Sequence, residues 1–262
     1  MRDLIRGSLR VVSHTCSNTE IVCALGCAGV LVGVDTDSDF PPNVVAPLSK
    51  LGRDLELDIA RTAALKPDLV LTSLTVPGHE RIVTALQAAG LNTLVIDPIG
   101  LGGVYASIRQ IADALGVAAR GATLVDEMRA QMPAVVVRGP RPKILVEWWP
   151  KPVIGPARES WVTDLIHLAG GENPWAARSG KSLEIADADA SAASPDVIVM
   201  SWCGVKAEKY RADVVARRAG WSEIPAVKHQ RIHPITEAFL GRPGPRLVDG
   251  YQALKRLTAI TR

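Results

Sequence analysis

Short apolar runs recur along the chain, separated by segments whose apolar positions return every three or four residues. VVSH (11–14), VLVGV (30–34), LVLTS (69–73) and TLVIDP (93–98) have the length and β-branched content of strands. Between them, IARTAAL (59–65) and a segment from about Glu80 to Ala89 have helical spacing. Ser17-Asn18-Thr19-Glu20 has the spacing of a capping box, and it predicts a helix through IVCAL that ends near Gly26. Strand and helix therefore alternate, which predicts a mostly parallel sheet with helices on both faces.

From Val104 to Gln131 the rhythm changes. Ile108, Ile111, Ala112, Leu115, Leu124, Val125 and Met128 recur at helical spacing, which predicts one long helix over 104–132, bent near Gly116 or Gly121. VRGPRP (137–142) breaks it, and strand-like runs resume at KILVEWW (143–149), VIVMS (197–201) and RIHPI (231–235). Helices are expected near Trp161–Leu168, stopped by Gly170-Gly171, around a polar stretch from Glu208 to Arg218, and from about Leu247 to Ile260. KPDLVLTS (66–73) is echoed by SPDVIVMS (194–201). In each copy a proline ends a helix, an aspartate opens the strand, four apolar residues supply a strand buried on both faces, and a serine closes it. The expected architecture is α/β: two Rossmann-like lobes with mostly parallel sheets, 1–103 and 133–262, joined by the long helix. The carboxyl ends of the strands would then face a ligand cleft between the lobes.

Composition narrows the function classes. The 262 residues are 47% hydrophobic and 22% charged, ordinary values for a folded globular chain. Thirty Lys and Arg against 27 Asp and Glu leave +3, scattered with no basic stripe, so no nucleic-acid partner is expected. No apolar run approaches the ~18 residues of a membrane span. MRDLIRGSLR carries basic residues but no apolar stretch and no cleavage site, so as written the chain is expected not to be exported. Cys16, Cys23, Cys27 and Cys203 read as free thiols. Phosphate-loop, dinucleotide, G-x-S-x-G, HExxH and CxxC patterns are all missing from the sequence, and no catalytic set emerges.

Candidate chemistry then lies at the predicted strand ends. The first half offers Ser13, His14, Thr15 and Cys16, the loop 35–40 with Asp37, Arg53, and Ser73-Leu74 leading to His79 and Glu80. The second half offers Trp148, Trp149, Trp202, Cys203 and the loop 237–242 with Phe239 and Arg242. Three of six tryptophans thus fall at two strand ends in a chain with 4% aromatics, which favours a flat-walled apolar binding surface over a purely core role. Arg158 and Arg242 could add cation–π or carboxylate contacts. His14, Cys16, His79 and Cys203 could converge on a metal, although lining the cleft is the simpler role, and no metal site is assigned.

The chain resembles the bilobal, helix-linked solute-binding proteins of bacterial ABC importers for cobalamin and iron–siderophore complexes, the class III periplasmic-binding fold. The resemblance rests on VVSHTCSNTEIVCALG, VGVDTDSDFPP, LKPDLVLTS, AGLNTLVID, LAGGENPW, SPDVIVMS, IPAVKHQRI and GRPGPRLVDG, which fall in the family's order over nearly the whole chain. It implies binding without catalysis or cofactor, with cobalamin first and a ferric siderophore second as ligand. It also implies docking on an ABC permease through one acidic residue per lobe, Glu80 and Glu208, with Glu223 less favoured than Glu208. A periplasmic or cell-envelope location follows from the resemblance, while the missing signal peptide leaves a cytoplasmic one open. Tryptophans favour the corrinoid; Arg53, Arg158 and Arg242 leave room for an anionic siderophore. A rival of another class is a cytoplasmic metal- or corrinoid-handling protein, or a chelatase-like enzyme using His14, Cys16 and Cys203.

Overall fold

The structure, a computed structural model, describes residues 9–261. The expectation about export rests mainly on residues outside that range. The chain divides into two compact units, Met1–Pro98 with Tyr105–Glu127, and Ile99–Val104 with Met128–Arg262.

The first unit is built on β1 (Val11–Ser13), β2 (Leu31–Val34), β3 (Ser49–Lys50), β4 (Leu69–Ser73) and β5 (Thr93–Ile96). All pair in parallel in the order β3-β2-β1-β4-β5. Connecting them are α1 (Cys16–Ala24), α2 (Pro42–Val45), α3 (Ile59–Ala64) and α4 (His79–Ala88). Because β1 pairs with β2 on one side and β4 on the other, the order reverses between β1 and β4, the crevice position where open α/β sheets hold ligands. The apolar runs lack alternation because both faces are covered. Register partners Val12 and Val70 pack with Ile82 and Leu86 of α4, while Val11 and Leu71, pointing the other way, are also fully buried.

The segment read as one helix over 104–132 is two, α5 (Gly100–Ala114) and α6 (Ala118–Gln131). Gly116 between them has φ +72°, and a side chain added at Gly121 would collide with Ala112. In a straight helix those two residues would stand about 13 Å apart along the axis. The chain therefore turns sharply at the glycine that the sequence marked only as a bend, and each helix contributes residues to both units.

The second unit holds a parallel sheet, β11-β10-β6, from β6 (Ile144–Glu147), β10 (Val197–Met200) and β11 (Ile232–Pro234). A small antiparallel sheet, β7 (Trp149–Pro150), β8 (Val153–Pro156) and β9 (Ser182–Ile185), was not foreseen, because its strands are only two to four residues long. Its helices are α7 (Trp161–Leu168), α8 (Asp187–Ala193), α9 (Ala212–Ala216), α10 (Pro225–Lys228), α11 (Glu237–Leu240) and α12 (Leu247–Thr261). Asp164 of α7 accepts the Leu101 N–H and so caps the start of α5.

Three local expectations need correction. The capping box does not form: α1 starts at Cys16, Thr15 holds the cap position at φ +90° with no side-chain capping bond, and Ser17 lies inside the helix. The polar helix expected over 208–218 is a 3₁₀ turn, Ala207–Lys209, followed by the short α9. KILVEWW is two strands rather than one, since β6 ends at Glu147 and β7 starts at Trp149.

Candidate functional site

In the first unit the carboxyl ends of β1 and β4 carry a buried polar cluster. His14 has no exposed surface; its Nε2 lies 2.6 Å from the Asp54 carbonyl oxygen and its Nδ1 2.8 Å from Thr72 Oγ1. A carbonyl only accepts, so Nε2 carries the proton and the Thr72 hydroxyl donates to Nδ1. Desolvation lowers the His14 pKa to about 4, against the opposing Asp54 hydrogen bond, so the ring is neutral at neutral pH. His79, equally buried, sits edge-on to it with ring centroids 5.1 Å apart. Its Nε2 is 3.4 Å from Asp54 Oδ2, close enough for charge pairing but without hydrogen-bond alignment. The His79 contact holds the Asp54 carboxyl below its usual range.

Ser73 Oγ, His79 Nδ1 and Asp54 thus form a serine–histidine–carboxylate chain, with Oγ 3.4 Å from Nδ1. Ser73 and both rings have no exposed surface, so the chain lies beneath the surface of the unit. What the cluster does is tether the 3₁₀ turn Asp54–Glu56 to β1, β4 and α4.

Around it lie the more open residues. Thr15 is buried, and for a β-branched residue its φ of +90° is an outlier of the kind found where a site imposes strain. Cys16 is half-buried with its Sγ 3.9 Å from Asp35 Oδ1. Asp35 is fully buried; desolvation raises its carboxyl, and Ser38 Oγ donates to it at 2.6 Å. Asp37 pairs with the exposed Arg53 at 3.4 Å, and Leu74 is half-buried. Glu80, exposed in the first turn of α4, accepts the Gly78 N–H. Its second-unit counterpart in the docking expectation, Glu208, is exposed in the Ala207–Lys209 turn.

In the second unit the tryptophans divide. Trp149 is 45% exposed on β7, and Trp148 is half-buried, its ring 6.2 Å from that of Trp161. Trp202, expected beside them on an open surface, is instead 6% exposed and belongs to the core with Trp175 and Trp221. Burial is possible because its Nε1 finds an acceptor, Glu147 Oε2, at 3.2 Å. Cys203 and Arg158 are exposed, and Phe239 is half-buried with Arg246 over its ring at 5.7 Å. Arg242, largely buried, is 3.5 Å from Glu237 Oε1. Among the described residues no three or more His, Cys, Asp or Glu side chains stand close enough to hold a metal ion.

Sequence reasoning passed over Asp54, Thr72, Tyr210, Arg218 and Glu147, and named Glu237 only as the first residue of the loop 237–242. Tyr210 OH donates to the Trp202 carbonyl and accepts the Glu237 N–H, joining the β10 and β11 ends. Glu147 was legible as a carboxylate closing an apolar strand; Arg218, distant in sequence and on no regular face, was not.

A two-unit α/β chain with its polar and aromatic residues gathered at strand carboxyl ends has the form of a small-molecule binding protein. Residues 11–238 match the family described as periplasmic binding protein, and the chain belongs to that family. It is 30% identical over 94% of its length to an uncharacterized ABC transporter substrate-binding lipoprotein of Bacillus subtilis, covering 78% of that protein. It is 21% identical over 92% of its length to a vitamin B12-binding protein of Vibrio parahaemolyticus, covering 86% of it. The apo structure of the periplasmic heme-binding protein RhuT from a Roseiflexus species superposes with a TM-score of 0.82 at 25% identity, over 97% of this chain and 99% of that one. No described helix is long and apolar enough to cross a membrane.

Proposed function

We propose that the protein is the solute-binding component of an ABC importer in the cell envelope and that its ligand is a bulky, flat metal chelate, a corrinoid first. The observation that carries this reading is the exposed Trp149, preceded in the chain by half-buried Trp148, at the carboxyl end of β6. An indole face offers large apolar contact to a planar macrocycle at low entropic cost. His14, Thr15, Cys16, Asp37, Arg53, Ser73 and Leu74 in the first unit, and Trp148, Trp149, Arg158, Trp202, Cys203, Phe239 and Arg242 in the second, are the proposed binding ends. Buried His14, Ser73 and Trp202 serve there by shaping the surface from beneath.

A ferric siderophore of high negative charge is the second reading. It is disfavoured because each candidate arginine already has a carboxylate within 4 Å: Asp37 at 3.4 Å for Arg53, Glu159 at 3.9 Å for Arg158 and Glu237 at 3.5 Å for Arg242. An anion would have to compete for them. The names of the relatives support a B12-like or heme-like ligand class, and the first-named relative supports an envelope location and an ABC permease, docked through Glu80 and Glu208.

Titration of the protein with cyanocobalamin, hemin and a ferric hydroxamate, followed by tryptophan fluorescence, tests the reading. Saturable quenching by a macrocycle and none by the hydroxamate is expected; silence toward all three refutes it.

A further inference from the structure

Arg218 joins parts of the second unit that are remote in sequence. One guanidinium nitrogen donates to Glu147 Oε1, and the other donates to Glu147 Oε2 and to the Pro150 carbonyl, each at 3.1 Å. Its Cζ lies over the Trp221 ring, 4.5 Å from the centroid, and Trp221 Nε1 in turn donates to Asp187. Glu147 has no exposed surface, and its Oε2 also receives the Trp202 indole. So one charged fork holds the end of β6, the first strand of the β7–β8 hairpin and, through Glu147, the segment after β10.

The second strand of that hairpin is held by its pairing with β9 and by Val153 in the core, whereas the first, Trp149–Pro150, is an edge strand that pairs with β8 alone. A cavity of about 370 Å³ is lined by Pro150–Val153, Glu184–Asp187 and Arg218–Ala219, so the Arg218 bond to the Pro150 carbonyl joins two residues of its wall. The residue carried on the hairpin is Trp149, whose own Nε1 is turned back onto the Lys151 carbonyl at 3.1 Å. A buried ion pair is weak grounds for stability, since well-packed apolar residues often replace one at no cost. A bidentate fork does fix direction and register, which apolar packing around a cavity cannot.

We propose that Arg218 is a positioning residue: paired with Glu147, it fixes the Trp149 hairpin and thereby sets affinity for the chelate without touching it. The consequence for affinity rests on the function proposed above; the effect on the hairpin does not.

The test uses the full chain labelled with fluorotryptophan, with the Trp149 fluorine resonance assigned through Trp149→Phe. In the doubly apolar variant Glu147→Leu with Arg218→Met, no charge is left buried alone. Its Trp149 resonance is expected to move or broaden, although no hydrogen bond or ring contact joins Trp149 to either altered side chain, while that of Trp161, whose indole donates to the Leu240 carbonyl, stays in place. Cyanocobalamin or hemin should then dissociate faster and bind about ten-fold more weakly, since the hairpin is no longer preorganised. Should that variant not fold, Arg218→Lys, which keeps the charge and loses the fork, is expected to shift the same resonance. An unmoved Trp149 signal in a folded variant overturns the positioning role. A displaced Trp149 with unchanged affinity overturns its consequence for binding. If the parent protein binds neither macrocycle, the proposed function fails while the fluorine spectra still decide the role of Arg218.

Discussion

Asp68 Oδ2 accepts the Arg10 N–H at 2.8 Å, and Asp196 Oδ2 accepts the Lys143 N–H at 2.8 Å. The Arg10 carbonyl receives the N–H groups of Asp68 and Leu69; the Lys143 carbonyl receives those of Asp196 and Val197. The Arg10 guanidinium reaches the Leu65 carbonyl at 2.7 Å, and Lys143 Nζ reaches that of Ala193 at 3.1 Å. At their amino ends the two central strand pairs are thus built alike, bond for bond. At their carboxyl ends they differ. Val11 faces Leu69 and Ile144 faces Val197, so His14 and Glu147 hold the same place. One is a neutral ring bound to a hydroxyl and a carbonyl; the other is a carboxylate bound to a guanidinium and an indole. The amino-terminal junction answers to backbone geometry, which both units share, whereas the carboxyl end answers to what each unit presents there.

The sharpest way to break the contrast is to remove one charge. Arg218→Met leaves Glu147 buried without its partner, and burial already raises that carboxyl against the pull of Arg218. A loss of about 3–5 kcal/mol is expected, near ten degrees in Tm, read by thermal melting at pH 7. If Arg218→Met melts with the parent, the pair is not the buried ionic element described here.

Next in size is pH. His14 falls to about 4 on folding from an unfolded value near 6.5, so the unfolded chain binds more protons between those limits and stability drops as pH falls through that window. The contribution is up to about 3 kcal/mol. Asp35 and Glu147, raised by burial, act with the opposite sign, so the quantity to measure is the difference between parent and His14→Gln from pH 7 to pH 4. The variant is expected to lose less stability on acidification. Parallel curves would mean that the ring does not stay neutral in the fold.

What the sequence made legible follows the same division. LVLTS and VIVM were readable because strands buried on both faces need unbroken apolar runs, and the Pro-Asp junction because its residues act locally. The place of the site was readable too, since strand carboxyl ends follow from a βαβ order. The wiring was not. His14 to Asp54, Glu147 to Arg218 and Trp202 to Glu147 join residues 40 to 71 positions apart. Trp202 shows the cost of this: an indole at a strand end reads as surface until a buried acceptor is known. The turn at Gly116 was half-legible, since glycine permits a bend but only the contact of Gly121 with Ala112 decides how far it goes.

Smaller effects test the likeness itself. Asp68→Ala and Asp196→Ala each orphan a strand-opening N–H, and Asp196 is the less exposed of the two. About 1–2 kcal/mol is expected at Asp196 and about half that at Asp68, where water can replace the acceptor. Urea unfolding of each variant gives the order, and a larger loss at Asp68 would contradict it.

The smallest effect should be a gain, and it should come twice. Lys66 and Ser194, each just before the proline, sit at φ +47° and +52°, a left-handed conformation that costs an L residue about 1 kcal/mol and a glycine almost nothing. Both follow the last turn of a helix, α3 and α8, where glycine is the usual occupant. Glycine also gains entropy in the unfolded chain, which offsets part of the benefit. Lys66→Gly and Ser194→Gly are therefore each expected to stabilise by about 0.5 kcal/mol, and the double variant by their sum, because the sites lie in separate units. Neither side chain is the donor or acceptor in the junction's hydrogen bonds described above, so the readout reports the backbone alone. A gain at one site with a loss at the other would mean that the two junctions share hydrogen bonds but not strain, and the likeness would be one of sequence more than of structure.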